Sequence, residues 1–372
     1  MLQGLKVLEL ASVLAGPGVG QFFAELGAEV IKVENLKTGG DVTRSWKLAS
    51  EKEGEDRSAY FSSVNWGKKS LAIDLTSASG KEIIQKLAAK TDIIIASYKP
   101  GDAEKLGVSY SQLVTINSKL IYGQITGYGS DNSNVGYDAV IQAESGFMDM
   151  NGEVSGDPLK MPVALIDVLA GHQLKEGLLL ALLKKELTGE GSLVEVSLIQ
   201  AAVASLANQA SNWLVAKSLP TRKGSLHPNI APYGESFETK DQKRIILAVG
   251  SDRQFIDLCE VLNLNEAIVD TRFSSNQSRV VNRIALGELL RLKIKEKSSD
   301  ELMRLIHERK IPAGLIQNLK EVFEMKEAKE LLMNSGEFVG VRNFVASNSE
   351  VNLLPPPKLG EHNEEILKSI CK

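Results

Sequence analysis

The sequence predicts a doubly wound, Rossmann-like α/β domain followed by a smaller α/β domain, and three observations indicate this. In the first half, short apolar segments alternate with helical segments at the spacing of βαβ units in a parallel sheet. At 372 residues the chain is long enough for two domains. The segment 218–236 holds three prolines, two glycines and few apolar residues, which is typical of an interdomain linker.

The large domain is expected to span residues 1–215. Apolar runs and helical repeats within it predict strands at 6–10, 29–34, 70–75, 92–96, 120–126 and 192–198, and helices at 21–26, 79–90 and 110–116. A longer helix is predicted to begin at Asp167, because Leu174, Leu178 and Leu182 recur at helical spacing, and to end at 188–191. A further helix is expected to reach about residue 216.

The remaining boundaries follow from composition and pattern. Residues 216–235 are predicted to form the linker, residues 236–316 the small α/β domain, and residues 317–329 a second linker. The small domain is expected to contain strands at 244–249 and 313–316, and helices at 253–262, 284–295 and 299–308. The tail, 330–372, has a strand-like segment at 337–345 and three prolines at 355–357, and is expected to return to the large domain.

Composition and charge exclude several classes of protein. The formal net charge is −4, so no general basic field attracts nucleic acid or a membrane surface. Only two cysteines occur, Cys259 and Cys371, which gives no disulfide framework and no metal-ligand spacing and is typical of a reducing compartment. Charged residues interrupt the N-terminal segment and the most apolar window, 163–183, so neither a signal peptide nor a membrane span is predicted. We expect a cytoplasmic protein.

A glycine-rich motif, Gly16-Pro17-Gly18-Val19-Gly20, follows the first strand and precedes a helix, with the acidic Glu34 at the end of the next strand. Such a turn can bring the backbone close to a phosphate at a helix N-terminus, as in dinucleotide sites. The third glycine of the GxGxxG pattern is missing, because Gln21 or Phe23 occupies its place. A dinucleotide site and a plain tight turn therefore both remain open.

Asp167 stands between an extended run and the long helix, which leaves two interpretations. An Asp in this position is a favoured N-cap, worth roughly 1 kcal/mol. The second interpretation is catalytic, because a carboxylate kept ionised by the helix dipole can attack an activated carbonyl as a nucleophile.

Other candidate sites carry weaker signals. Four basic residues in or beside predicted loops, Arg44, Lys68, Lys69 and Lys105, could be solvated surface charges or could converge on a polyphosphate. The four histidines are scattered without an HExxH spacing, so no metal site is expected. The serine-hydrolase motif GxSxG and the phosphate-loop motif GxxxxGK[ST] are both absent.

A series of short motifs runs along nearly the whole chain. They are LKVLEL at 5–10 with AGP at 15–17, LGAEVIKVE at 26–34, Gly40-Asp41 with Arg44, NWGKKSLAIDL at 65–75, KPG at 99–101 with KLG at 105–107, ITGYG at 125–129, GYD at 136–138 with QA at 142–143, Asp167 before its helix, HP at 227–228 with APY at 231–233, GSDRQF at 250–255, and Arg272-Phe273 with Asn276, Arg279, Val280 and Asn282-Arg283. In this order the chain resembles the family III CoA-transferases, a group that includes formyl-CoA transferase, carnitine CoA-transferase and alpha-methylacyl-CoA racemase.

The resemblance implies an activity and a set of site residues. The catalytic Asp of the family falls on Asp167, which would attack an acyl-CoA thioester to form an anhydride and then an aspartyl-CoA thioester, from which a carboxylic acid acceptor takes the CoA. CoA is implied as a substrate and not as a tightly bound cofactor, held by the 16–20 turn and by Val13, Leu14, Ala15, Arg44, Lys68, Lys69, Tyr98, Lys105 and Leu106. The family also implies an interlocked homodimer.

Tyr137 distinguishes the activities within this family. The racemase branch has a His before the Asp here, because inverting an α-carbon needs a second acid/base, and a Tyr with an ordinary pKa of about 10 serves this poorly. The resemblance therefore implies an acyl-CoA:carboxylate CoA-transferase, with an acyl-CoA racemase or epimerase as the alternative. An NAD-dependent dehydrogenase is a further alternative, although no acid/base for a hydride site is visible. The acyl donor and the acceptor acid are not specified.

Overall fold

The structure, a computed structural model, describes residues 1–346 and 352–370 and divides the chain into two compact units. The large unit contains Met1–Phe147, Lys160–Ser218 and Lys329–Lys372, and the small unit contains Met148–Leu159 and Leu219–Ala328. The segment Met148–Leu159 was predicted to belong to the large domain, and the structure assigns it to the small unit. Cys371 lies outside the described residues.

Six parallel strands form the sheet of the large unit. They are β1 (Lys6–Leu10), β2 (Glu29–Asn35), β3 (Lys68–Ile73), β4 (Ile93–Ala96), β5 (Ile121–Thr126) and β6 (Ser192–Ser197). They pair in the order β3-β2-β1-β4-β5-β6, so the chain winds outward from β1 in one direction and from β4 in the other. This order confirms the doubly wound α/β fold, and it places a topological switch point between β1 and β4.

The helices of the first 214 residues alternate with these strands. They are α1 (Ala15–Glu25), α2 (Ala59–Ser62), α3 (Ala78–Ala88), α4 (Asp102–Leu106), α5 (Tyr110–Leu113), α6 (Asp138–Glu144), α7 (Phe147–Met150), α8 (Leu165–Thr188), α9 (Leu198–Ala204) and α10 (Ala207–Leu214), with short 3₁₀ helices at Leu36–Thr38 and Val42–Ser45. The long predicted helix corresponds to α8, which ends at Gly189 in the left-handed conformation that glycine favours. Four short helices, α2, α4, α6 and α7, were not predicted from the sequence.

Helices cover both faces of the parallel sheet because successive residues of its central strands are apolar. Val7 of β1 and Ile93 of β4 belong to a core that includes residues of α1, α8 and α9. The next residues, Leu8 and Ile94, face the opposite side and pack with residues of α3 and α5. Strands buried on both faces are therefore continuous apolar runs, and this is why the sequence located them within two residues.

The small unit has its own antiparallel sheet and core. Its strands are β7 (Tyr233–Glu238), β8 (Arg244–Ala248) and β9 (Ala313–Leu315), and its helices are α11 (Asp252–Val261), α12 (Asn265–Val269), α13 (Asn276–Val281), α14 (Arg283–Ile294), α15 (Ser299–Glu308) and α16 (Leu319–Val322), followed by α17 (Lys326–Lys329). β7 begins inside the predicted linker, 216–235, so the linker prediction is wrong at its end. Pro232 directly precedes the strand and Pro228 lies five residues before its start, so the strand begins in a segment whose composition is typical of a linker.

The end of the chain belongs to the large unit. β10 (Leu332–Ser335) and β11 (Phe338–Val341) form an antiparallel hairpin, and α18 (Asn363–Ile370) packs beside β3. The Asn363 side chain accepts from the backbone N–H of Ala72 at 2.8 Å and donates to its carbonyl at 3.0 Å. These two bonds fasten α18 to β3. Within the described residues, no helix has the length and apolar character needed to cross a membrane.

The glycine motif lies inside a helix and not in a turn. α1 begins at Ala15, so the predicted turn at 16–20 and the predicted helix start at Gln21 are both wrong. A Cβ at Gly16 would collide with the Ala11 side chain, and a Cβ at Gly20 would collide with the Glu9 carboxylate. The glycines therefore allow the helix to approach β1 closely, which is a packing role.

Gly20→Ala is expected to lower the free energy of unfolding by about 1–3 kcal/mol, because the added methyl has no space beside Glu9. Gly18→Ala is the matched control on the same helix. Its nearest neighbour would be Val64 Cγ1 at 3.9 Å, and alanine gains up to about 1 kcal/mol of helix propensity. Denaturant unfolding followed by circular dichroism measures both variants. Equal losses of stability would contradict the packing role.

Candidate active site

A cavity of about 270 Å³ lies at the carboxyl edge of the parallel sheet. Its walls come from the segments that follow three strands, at Ser12–Gly16 after β1, Ser97–Pro100 after β4, and Gly127 after β5. This position is the switch point, where the connections from β1 and β4 diverge and leave a crevice. The fold therefore places the main candidate site where doubly wound sheets bind their ligands.

The cavity brings together six of the residues singled out from the sequence. Its lining includes Val13, Leu14, Ala15, Tyr98, Tyr137 and Asp167. Tyr98 is largely buried, and this burial raises the pKa of its hydroxyl to about 12. Tyr137 is 54% exposed and directly precedes α6. Residues from distant parts of the sequence thus meet at one site.

Arg44 and Lys68 lie elsewhere, and the structure corrects the expectation that they face a ligand. Arg44 is buried and forms two hydrogen bonds with Glu34, Nε to Oε1 at 2.8 Å and Nη2 to Oε2 at 2.7 Å. The Nζ of Lys68 is also buried, 2.7 Å from a carboxylate oxygen of Glu9. Neither residue lines the cavity, and both charges are neutralised within the protein.

Lys69, Lys105 and Leu106 do not line the cavity either. Lys69 lies at the amino end of β3, opposite the carboxyl edge, and pairs with Glu29 at 2.8 Å and with Glu365 at 2.6 Å. The Lys105 side chain is 76% exposed and pairs with Asp102 at 3.0 Å, while Leu106 packs at the margin of a core. Of these three, only Lys105 remains a solvated charge at the surface.

A buried cluster of four charged side chains lies beneath the cavity, and we call Glu9, Lys32, Asp41 and Lys68 the charge cluster. Lys32 Nζ lies 2.9 Å from Glu9 Oε1 and 2.8 Å from Asp41 Oδ2. Burial opposes the charge on Lys32, but the carboxylates hold its pKa above the ordinary value. Burial lowers the pKa of Lys68 to about 8. The cluster is internally neutral, so it adds no free cation to the cavity.

The charge cluster fixes the loop that forms one wall of the cavity. Lys32 Nζ donates to the carbonyl of Ala11 at 2.9 Å, and Lys68 Nζ donates to the carbonyl of Pro17 at 2.8 Å. Between them, the backbone N–H of Val13 donates to the Asp41 carboxylate at 3.3 Å. Val13 has a φ of 74°, a strained value for a β-branched residue that these contacts hold in place.

The N-terminus of α1 opens onto the same cavity. Leu14, Ala15 and Gly16 line it, and no side chain of the described residues caps the helix. The first N–H groups of a helix carry partial positive charge and can donate to an anion. This end of α1 can therefore stabilise negative charge that develops in the cavity.

Asp167 occupies the first turn of α8 and is not its N-cap. The helix begins at Leu165 after Ala164, so the capping interpretation is wrong. Asp138 supplies the cap from a different part of the chain, because its Oδ1 accepts from the backbone N–H of Ile166 at 2.8 Å. Its other oxygen accepts from Gln142 Nε2 at 2.7 Å. Asp167 is thereby left free of any capping role.

The environment of Asp167 favours its neutral form. The residue is 8% exposed, and no hydrogen bond to its carboxyl occurs within residues 1–346 and 352–370. Burial and the nearby charge of Asp138 raise the pKa of Asp167 to about 7. The expectation that the helix dipole keeps this carboxylate fully ionised is therefore wrong. A carboxylate with this pKa is more basic than usual and still half ionised near neutral pH, which suits a nucleophile.

Tyr60, which was not predicted from the sequence, lies in the field of the same carboxylates. Burial, together with the charges of Asp167, Asp138 and Asp41, raises the pKa of the Tyr60 hydroxyl. Its ring packs edge-on against Trp46, with centroids 5.1 Å apart. A four-residue helix has too few positions for a periodic signal, so the sequence did not indicate it.

The geometry removes two supports of the dinucleotide interpretation. The Glu34 carboxylate, which would have to bind a ribose, is held by Arg44. The glycines lie inside α1, where they pack against β1. Within the described residues there is also no group of three His, Cys, Asp or Glu side chains that could hold a metal ion.

Asp167→Asn is expected to stabilise the protein at neutral and alkaline pH. An acid whose pKa is raised on folding destabilises the folded state above its unfolded pKa, because folding then has to bind a proton or bury a charge. With pKa values of about 7 folded and 3.8 unfolded, the gain should be near zero at pH 4 and reach at most about 4 kcal/mol at pH 8. Thermal unfolding across this pH range measures it.

The matched control is Glu176→Gln, which removes an exposed carboxylate from the same helix. It should show no comparable growth in stability between pH 4 and pH 8. A gain for Asp167→Asn that is equally large at pH 4 would contradict the electrostatic explanation.

Comparison with known proteins identifies the family. Residues 2–363 match the family model described as "CoA-transferase family III". A succinate–glutarate CoA-transferase of Agrobacterium fabrum is 35% identical, with 99% of this chain and 95% of that protein covered. The human succinyl-CoA:glutarate CoA-transferase is 34% identical, with 100% and 86% covered. A crystal structure of a CAIB/BAIF family protein from Brucella suis is 36% identical, with a TM-score of 0.86 and 99% of both chains covered. This confirms the resemblance: the chain belongs to CoA-transferase family III.

Proposed function

We propose that the protein transfers CoA from an acyl-CoA donor to a carboxylate acceptor, with Asp167 as the nucleophile. The observation that carries this proposal is the Asp167 carboxyl itself. It is buried, free of hydrogen bonds among the described residues, and part of the wall of a cavity at the switch point of the sheet. The two relatives named above are CoA-transferases, and their names specify carboxylates as substrates.

The first half of the reaction charges the enzyme with CoA. A carboxylate oxygen of Asp167 attacks the thioester carbonyl, and the C–S bond breaks. The CoA thiolate is released, and the acyl group is joined to Asp167 as a mixed anhydride. The thiolate then attacks the Asp167 carbonyl of that anhydride. The donor departs as a free carboxylate, and Asp167 carries CoA as a thioester.

The second half repeats these steps in reverse with the acceptor. Its carboxylate attacks the aspartyl thioester and expels the thiolate, which gives a new anhydride. The thiolate attacks the acyl carbon of the acceptor, forms the new acyl-CoA and restores the Asp167 carboxylate. No water enters the balance, so the enzyme has to position groups and keep water out.

We propose that the cavity residues take the positioning roles. Val13, Leu14 and Ala15, on the loop fixed by the charge cluster, and Tyr98 would contact the thioester end of CoA. The open N–H groups at the start of α1 would stabilise charge on the carbonyl or the thiolate. Lys105 and Leu106 remain candidates for the nucleotide end of CoA, whereas Arg44 would act by holding the loop region together and not by binding phosphate.

The intermediate provides the most direct test. Incubation with an acyl-CoA and hydroxylamine should leave a hydroxamate on Asp167, because both the anhydride and the aspartyl thioester are activated carbonyls. Asp167→Asn keeps the volume but cannot form the anhydride, so transfer should fall by at least about 10³-fold. Peptide mass spectrometry and a transfer assay measure these effects, and Glu176→Gln should retain both.

The alternative activity predicts different behaviour. A racemase forms no covalent intermediate and exchanges the α-proton of a 2-methylacyl-CoA with solvent. Exchange in deuterated water without an adduct and without transfer to any carboxylate would show that the protein is a racemase or epimerase despite Tyr137. That result would overturn the proposed transferase activity.

We further propose a homodimer, which the resemblance implies and the surface supports. Large apolar side chains lie exposed on α8 and α10, including Leu180, Leu183, Leu187, Trp213 and Leu214. Exposed apolar surfaces of this kind are typical of interfaces. Light scattering should give about twice 40.4 kDa with no monomer on dilution, because interlocked chains cannot separate without unfolding. A reversible monomer at micromolar concentration would contradict interlocking.

A further inference from the structure

A second cavity of about 250 Å³ adjoins the nucleophile, and we call it the side cavity. Leu14, Ala15 and Asp167 line both cavities and form a shared wall. The other walls of the side cavity are largely apolar, with Val64, Val163 and Val168 among them. Asp167 therefore stands between a cavity at the carboxyl edge of the sheet and a second, more apolar one.

Lys175 lines the side cavity from the same helix as Asp167. It lies eight residues later on α8, about 12 Å along the helix axis at 1.5 Å per residue. Helical side chains tilt toward the N-terminus, which in α8 is the direction of Asp167. A buried cation and the nucleophile thus lie on the same helix, two turns apart.

Lys175 is buried without a direct ionic partner. It is 8% exposed, and among the described residues it forms neither an ion pair nor a hydrogen bond; its Nζ lies 5.2 Å from the Phe22 ring centroid. The Glu25 carboxylate attracts it but is engaged elsewhere, with Gln21 Nε2 at 3.0 Å and the backbone N–H of Asn343 at 2.9 Å. Burial lowers the pKa of Lys175 to about 8, so it still carries charge at neutral pH.

A buried ammonium without a partner is costly unless an anion arrives to pair with it. Lys175 is the one lysine or arginine among the described residues that line the side cavity. Apolar walls suit methylene groups, and a single cation suits one carboxylate. The chemistry of the cavity therefore fits a short aliphatic chain with a carboxylate at its far end.

We propose that Lys175 binds the distal carboxylate of a short dicarboxylate, whose other carboxyl group reacts at Asp167. This inference rests on the proposed transferase function and specifies its substrate class. Donor and acceptor occupy the site in turn, since the first carboxylate leaves before the second binds. The side cavity therefore selects ω-carboxylated acyl groups in both halves of the reaction.

The test compares acceptors that differ only at the far end. With succinyl-CoA as donor, kcat/KM is measured for glutarate and for pentanoate, which have equal chain lengths. In a two-step exchange the acceptor's kcat/KM reports only the second half-reaction, so any effect of the variant on the donor step does not enter. Lys175→Met should lower kcat/KM for glutarate by about 10- to 100-fold, the effect of one charge-assisted hydrogen bond, and leave pentanoate within about threefold.

Two further variants test whether the effect depends on the charge of residue 175 and on its position. Lys175→Arg keeps the charge and should restore much of the preference for glutarate. Lys184→Met removes an exposed lysine from the same helix and should change neither acceptor. Thermal unfolding reports whether each variant is folded, and if Lys175→Met is not, Lys175→Gln replaces it in the comparison.

A binding measurement separates this inference from the proposed function. Calorimetry should show that the CoA-free wild-type protein binds glutarate and that Lys175→Met binds it at least tenfold more weakly. Equal losses for glutarate and pentanoate, or no glutarate binding by an active wild-type enzyme, would overturn the role of Lys175 while transfer stands. If the wild type moves CoA to no carboxylate, the proposed function fails first, and the dicarboxylate assignment fails with it.

Discussion

The candidate site depends on the buried ion pairs of Lys32 with Glu9 and Asp41. These side chains lie below the cavity, and their hydrogen bonds reach the backbone at Ala11 and Val13. Removing one partner of a buried ion pair typically costs about 3–5 kcal/mol, because the remaining charge is left unpaired in a low dielectric. The loop after β1 is therefore rigid, although it contains a strained backbone at Val13. A fixed loop allows the cavity wall and the N-terminus of α1 to be in place before a ligand binds.

The environment of Asp167 differs from that of the two buried carboxylates in the charge cluster. Glu9 and Asp41 have cations within 3 Å, whereas Asp167 has none in the part of the chain that the structure describes and lies in the field of Asp138. Asp138 takes over the capping of α8, so the helix is stable without a contribution from Asp167. Burying this carboxyl without a cation lowers local stability, a cost that is common at functional sites and is consistent with the role proposed for Asp167.

Lys175, on the same helix, is a second buried ionisable residue without an ion-pair partner among the described residues. Among residues 1–346 and 352–370, neither the Asp167 carboxyl in the first turn of α8 nor the Lys175 ammonium two turns later has an ion-pair or hydrogen-bond partner, and both residues line the side cavity. Neither satisfies the other, because they are separated along the helix. An unpaired acid can react with an acyl carbon, and an unpaired cation can bind an acid. Together they describe a substrate with a reactive group at one end and a negative charge at the other.

Local patterns in the sequence determined much of the fold. β4 is a continuous apolar run buried on both faces, β6 largely alternates apolar and polar residues, and the long helix ends at a glycine. Such local patterns located all six strands within two residues and also located α8. The motifs also indicated the family and singled out Asp167. Local pattern, however, carries no information about which distant charges meet. Arg44, for example, donates to the carbonyl of Pro357, 313 residues away.

Only the tertiary structure showed whether the candidate charged residues and glycines face a ligand or have structural roles. The strand order brought Lys68 of β3 against Glu9 of β1, and the segment after β2 folds back so that Arg44 pairs with Glu34. Both candidate phosphate ligands are therefore in buried ion pairs. Close packing of α1 on β1 explained the glycines, and the cap from Asp138 freed Asp167. Hydrogen bonds and ion pairs form between groups that the fold brings within about 3 Å. A sequence pattern shows how often buried residues recur along a strand or helix, but it does not show the distance between two side chains. For this reason the sequence could single out Asp167 as the candidate nucleophile, and only the structure could show what surrounds it.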